Sequence, residues 1–173
     1  MDYQAQEHSR KQKSPQEQPA QLKKAKIKAL NLLERMDRTE AQLREKLLKA
    51  EFEPETVEQA IAYVYSYGYL DDERYVRNYI EYRKEQKSRR QLEQELQFRR
   101  GVSLELIRKV YEELEPADEK AMIRRHLEKK YGMPSRWDEK QKQKFFASMQ
   151  RKGFRLGDIL SVIREWKEDG DCL

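Results

Sequence analysis

Little in this chain would mark a secreted, metal-binding or membrane-spanning protein. It has one cysteine in 173 residues, Cys172, beside the C-terminal Leu173. One thiol forms no internal disulfide and no CxxC metal pair, which agrees with a reducing compartment. The N-terminus, Met1-Asp2-Tyr3-Gln4, has no apolar stretch of the kind a signal peptide needs. No run approaches the ~18 apolar residues of a membrane helix. The expected location is therefore the cytoplasm, away from any membrane. Glycine and proline are scarce, at six and five residues, and no long β-branched alternation occurs, which argues against strands joined by tight turns.

Chemistry is scarce as well. The two histidines, His8 and His126, have no Cys or His at metal-ligand spacing. Neither GxxxxGK[ST] nor GxGxxG occurs, so no phosphate loop is signalled. Carboxylates are plentiful but interleaved with Lys and Arg at helical spacing, as on solvated helix faces. The expectation is a non-enzyme with no catalytic residues, no metal and no cofactor.

What remains is charge and helix-forming residues. Charged residues make up 40% and hydrophobic residues 37% of the chain. That balance is too polar for one thick core and suits thin helical modules, each burying one stripe per helix. The expected fold is all-α.

Residues 1–20 are polar, Gln-rich and interrupted by Pro15 and Pro19. They read as a disordered tail. Apolar stripes then recur in three sets. Ile27, Leu30 and Leu33 lead the first. Thr39 with Gln42 forms a capping box before Leu43 and Leu47. Pro54 opens a third helix with Val57, Ala60, Ile61 and Val64. Gly68 fits the left-handed position after that helix. The second set has Tyr75, Val76, Tyr79 and Ile80, then a Ser88–Gln91 capping box ahead of Leu92 and Leu96. Ser103 follows as a cap for Ile107 and Val110. In the third set Ile123 and Leu127 precede a polar helix that opens at Pro134-Ser135 and carries Phe145, Phe146 and Met149. Ile159, Leu160 and Ile163 mark the last helix.

The sets are repeats. Phe52, Val102 and Phe154 are spaced by 50 and 52 residues, as are Val57, Ile107 and Ile159. Leu96 departs from the pattern, lying six residues before Val102 where Leu47 lies five before Phe52. The expected architecture is a tail (1–20) and three tandem three-helix repeats (21–70, 71–116 and 117–173), forming an elongated, curved helical rod.

The formal net charge is +5, and residues 117–173 hold +4 of it, which permits contact with nucleic acid or an acidic protein. Arg99-Arg100 and Arg151-Lys152 end the second helices of their repeats. Arg124, Arg125, Lys129 and Lys130 cluster on one helix. Cations at helix C-termini are favourable by ~0.3–1 kcal/mol, which is one account of the end pairs; contact with an anionic partner is the other, and all these basic residues are binding candidates. Arg89 and Arg90 resist that account. They follow the Ser88 cap at a helix N-terminus, where positive charge is disfavoured unless an anionic partner or a carboxylate such as Glu93 offsets it.

The junction Gly68-Tyr69-Leu70-Asp71-Asp72-Glu73-Arg74-Tyr75, with Tyr79 and Arg83 after it, resembles the most recognisable segment of the RecX family, roughly GYLDDxRF followed by an aromatic and a basic residue. Locally, Asp71 fits a helix N-cap, and Leu70 with Tyr75 fits a hydrophobic staple, so these residues read as mainly structural. The likeness runs over about residues 25–168. One departure is Ala50-Glu51-Phe52, where the family has a Lys-Gly-aromatic turn. The resemblance implies a monomeric protein that binds RecA nucleoprotein filaments, and in some members single- or double-stranded DNA, and mainly inhibits strand exchange, ATP hydrolysis and coprotease action. The competing reading is a stand-alone DNA-binding protein of helix-turn-helix type, although no compact base-reading helix stands out.

Overall fold

Helix follows helix through residues 17–131 and 137–170, the residues that the computed structural model describes. The chain is all-α among them, and it divides into two compact units, one ending at Asp71 and one starting at Asp72.

The first unit holds α1 (Glu17–Arg35), α2 (Glu40–Lys49) and α3 (Pro54–Ser66). α1 takes up residues 17–20, which the sequence assigns to the tail. Pro19 is tolerated there because first-turn N–H groups have no acceptor within the helix. Residues 1–16 lie outside the described residues. Ile27, expected on the buried face, is exposed, while Ala25 and Ala29 are fully buried. They join Ala60, Ile61 and Val64 of α3 in one core cluster, and the expected Leu30 and Leu33 pack against it half-buried. The Thr39–Gln42 capping box is present in full.

The second unit holds the other two repeats. One comprises α4 (Asp72–Arg83), α5 (Arg89–Gln94), a π turn (Glu95–Arg99) and α6 (Leu104–Glu113). The other comprises α7 (Glu119–Lys130), α8 (Glu139–Arg151) and α9 (Leu156–Gly170). Each repeat has its own core. Positions matched by the 50- and 52-residue steps are matched in burial: Val57, Ile107 and Ile159 are fully buried, as are Ala60, Val110 and Val162. Leu160, expected on the apolar face of α9, is exposed, and Val162 takes that place. The start at Pro134-Ser135 expected for the polar helix lies outside the described residues. α8 begins at Glu139, and Asp138 with Gln141 makes its capping box.

The turn after the middle helix recurs in all three repeats. Phe52 N–H donates to the Leu47 carbonyl, and Phe154 N–H to that of Met149. Both are the closing bond of a Schellman motif, which needs a left-handed residue one position earlier. Gly153 fills that place with φ +82°, and Glu51 fills it with φ +62°. In the middle repeat the equivalent bond runs from Val102 to Leu96, one residue longer, with Gly101 at φ +70°. The π turn absorbs the extra residue. Leu96-Gln97-Phe98-Arg99-Arg100-Gly101-Val102 aligns with Met149-Gln150-Arg151-Lys152-Gly153-Phe154 once Phe98 is removed. Phe98 is 77% exposed, as fits a residue with no place in the repeat's core.

Candidate functional site

The repeats of the second unit meet at Ser88. Its hydroxyl oxygen accepts from Gln91 N–H, which caps α5, while its own O–H donates to the Lys152 carbonyl. Lys152, the residue directly after α8, is thereby tied to the N-cap residue of α5. Beside this joint lies an open cleft of about 1270 Å³, lined by the start of α5, one face of α6, residues 114–118 and the start of α9.

The basic residues at this cleft divide into two kinds. Arg89 is satisfied internally. Its Nε donates to Glu93 at 2.8 Å, its guanidinium lies 4.3 Å from the Tyr111 ring centroid, and its backbone N–H donates to the Glu119 carboxylate at 2.7 Å. Glu119 therefore supplies the negative charge that the N-terminus of α5 favours, from 30 residues away. Burial, then the Glu93 charge, pushes the Tyr111 hydroxyl far above its ordinary value. Arg90 is exposed and has no ion pair among the described residues. Arg108 and Arg155, also exposed, line the same cleft. Arg155 directly precedes α9, and its carbonyl accepts from Ile159 N–H. It thus stands at an N-cap position that Ser103 fills in the preceding repeat. A cation there opposes the helix dipole, as at Arg90.

Other candidates are drawn into different clusters. Arg124 and Lys120 pair with Glu165, and Arg125 pairs with Glu85 at 3.0 Å. Arg151 Nε donates to the Ala147 carbonyl. Lys129, Lys130 and Arg99 are exposed, and Lys152 is half-buried. Arg100 and Arg83 flank the Tyr79 ring, at 5.5 and 4.1 Å from its centroid. Tyr79 in turn donates to Glu95 at 2.7 Å, and Lys87 donates to the same carboxylate at 2.6 Å. Burial pushes the Glu95 carboxyl up, but the hydrogen bonds from Lys87 and Tyr79 more than offset it and leave it below the usual carboxylate range.

The junction residues separate in the same way. Gly68 has φ +70° and Tyr69 is exposed. Leu70 is 2% exposed and belongs to the core of the first unit. α4 starts at Asp72, directly after Asp71. Glu73 binds Lys109 at 2.6 Å and Arg77 at 3.4 Å. Arg74 is exposed, and Tyr75 stacks on Tyr79 at 6.0 Å and 23°. Among the described residues no group of His, Cys, Asp and Glu could hold a metal ion, and no helix is long and apolar enough to cross a membrane.

Two stretches match family models, "RecX, first three-helix domain" over residues 25–63 and "RecX, third three-helix domain" over residues 118–163. The Regulatory protein RecX of Trichlorobacter lovleyi is 38% identical over 145 residues, which cover 80% of this chain and 92% of that protein. The chain belongs to the RecX family. The Regulatory protein RecX of Actinobacillus pleuropneumoniae serotype 5b is 37% identical over 126 residues, 72% of this chain and 81% of the other. The fold is that of RecX from Lactobacillus salivarius, whose crystal structure superposes with a TM-score of 0.76 at 18% identity and covers 86% of this chain and 98% of that one. The π turn and the cleft's Arg89, Arg90 and Arg108 lie between the two stretches matched by the RecX models.

Sequence spacing alone missed Arg108 and Arg155. A signal for Arg155 was present: an arginine where the preceding repeat has the capping Ser103. Arg108 joins the cleft only through the packing of α6, which no local pattern reports.

Proposed function

We propose that this RecX-family chain is a non-enzymatic cytoplasmic regulator of the RecA recombinase. It acts as a monomer by binding RecA filaments on DNA and mainly restrains strand exchange, ATP hydrolysis and coprotease action. Membership of the RecX family carries this reading. The chemistry agrees with it. A protein without a catalytic set acts by occupying its partner, and three short helical modules facing a repeating partner let several weak contacts act together. In the second unit Arg90, Arg108 and Arg155 offer positive charge at one cleft, and two of them stand where helix stability disfavours them. Such a face suits acidic protein groups or DNA phosphates.

Titration of the chain against bare DNA, RecA alone and the RecA–DNA filament tests the proposal. The filament is expected to bind most tightly, with stoichiometry set by RecA subunits. Equal affinity for bare DNA and for the filament would favour a stand-alone DNA-binding protein.

A further inference from the structure

The first unit carries an aromatic array that the cleft does not use. Tyr63 and Tyr67, one turn apart near the end of α3, have ring centroids 4.8 Å apart. Beyond the Gly68 turn, Tyr69 stacks on Tyr67 at 6.3 Å with 25° between the planes. Lys26 of α1 lies over Tyr63, 4.3 Å from its centroid. Tyr67 and Tyr69 are 64% and 55% exposed, and Tyr65 is also exposed. The core beneath is closed without them by Val64 and Leu70. A tyrosine ring is a large apolar surface, and keeping several of them together in water forgoes the stabilisation that burial would give.

On the α1 side their setting is basic, while Asp71 and Asp72 follow Tyr69 along the chain. α1 bears Lys23, Lys24, Lys26, Lys28 and Arg35 against Glu17 and Glu34. Lys23 lies three residues before Lys26 and so shares its side of the helix. Flat exposed rings bordered by cations match a chain that offers free π-faces and phosphates together, namely single-stranded nucleic acid. A duplex has phosphates, but its bases are already stacked.

We propose that Tyr67 and Tyr69, with Lys23 and Lys26 at their edge, form a platform on which bases of single-stranded nucleic acid stack, without regard to sequence. This deepens the DNA contact that the family resemblance implies, by giving it a place and a mode of binding. It assigns the first unit a direct contact with the strand, and it stands or falls without a recombinase.

The test uses the full chain and fluorescently labelled oligo(dT), read by anisotropy at low and moderate salt. Wild type is expected to bind oligo(dT) and to prefer it to a duplex of equal length. Replacing both Tyr67 and Tyr69 with Ala should weaken binding by about ten-fold or more, since each stacked base depends strongly on its ring. Tyr67→Phe with Tyr69→Phe should keep most of the affinity, because the π-faces remain. Lys23→Gln should flatten the salt dependence by roughly 0.7 in log–log slope. Both tyrosines are exposed, so the helical circular dichroism and melting curve of the Ala variant should match wild type. Lack of oligo(dT) binding by wild type, equal binding of duplex, or unchanged affinity in the Ala variant would each overturn the proposal. An Ala variant that binds oligo(dT) normally but inhibits RecA poorly would make the array a protein contact, and would leave the filament reading standing.

Discussion

A Cβ placed on Gly153 would lie 2.7 Å from the hydroxyl oxygen of Ser88, so the α8 turn and the cap of α5 meet at a point with room only for hydrogen. Gly153 also has φ +82°, a conformation that L side chains rarely adopt. Gly153→Ala therefore combines the left-handed cost with a clash and should destabilise by at least ~2 kcal/mol. Gly68→Ala is the control. It has φ +70° but nothing within 4 Å of its Cβ position, so only the backbone cost of about 1–2 kcal/mol applies. Denaturant unfolding of the two variants should rank them in that order. A Gly153→Ala variant as stable as wild type would show that the joint yields easily.

Glu51 occupies the left-handed position that Gly101 and Gly153 hold in the other repeats. Glu51→Gly removes the strain on a residue with a Cβ, at the cost of a more flexible unfolded chain. The net expectation is a gain of roughly 0.5–1 kcal/mol. Thermal melting followed by circular dichroism reads it directly, and a fall in Tm would mean that the Glu51 side chain makes a stabilising contact of its own.

Phe98 is the residue that the π turn accommodates. Deleting it restores the five-residue spacing from Leu96 to the following apolar residue, as in the flanking repeats. The deletion variant should fold, retain its helical signal and keep a Tm within a few degrees of wild type. Most deletions inside a helix rotate its buried face away from the core; this one should not. Loss of cooperative unfolding would show that the π turn is needed by its surroundings.

Glu95 is held below its ordinary pKa in the folded chain by Lys87 and Tyr79, against the opposing effect of burial. A depressed carboxylate contributes stability that is fully present above its unfolded pKa and is lost as pH falls through the folded one. Stability should therefore decline on acidification below about pH 4.5. Glu95→Gln should cost about 1 kcal/mol at pH 7, discounted for the partial exposure of Lys87, and should flatten that acid limb. An acid limb unchanged in the variant would show that other carboxylates govern it.

Local patterns in the sequence carried the helices, the Thr39 and Ser103 caps and the turn at Gly68, because each is set by residues three or four positions apart. The repeat steps were legible for the same reason at longer range: Val57, Ile107 and Ile159 keep both spacing and burial. Ile27 misled because periodicity weighs large apolar residues, whereas the fully buried positions of α1 are Ala25 and Ala29, with Leu30 and Leu33 half-buried beside them. For Arg89 the local electrostatic conflict was legible, but its relief was not. Glu119 and Tyr111 reach it only through tertiary packing, 30 and 22 residues along the chain. Arg90, its neighbour, keeps the conflict and has no ion pair among the described residues.

If this chain restrains RecA filaments as proposed, the free arginines of the second unit take part. The most direct measurement is DNA-dependent ATP hydrolysis by RecA as the chain is titrated in. Wild type should suppress turnover at concentrations comparable to the filament's binding sites. Arg90→Gln, Arg108→Gln and Arg155→Gln combined should keep the fold and Tm but weaken suppression by ten-fold or more. Arg89→Gln should instead lower stability through the loss of Glu93 and Tyr111. Undiminished ATP hydrolysis in the presence of excess wild-type chain would contradict the account.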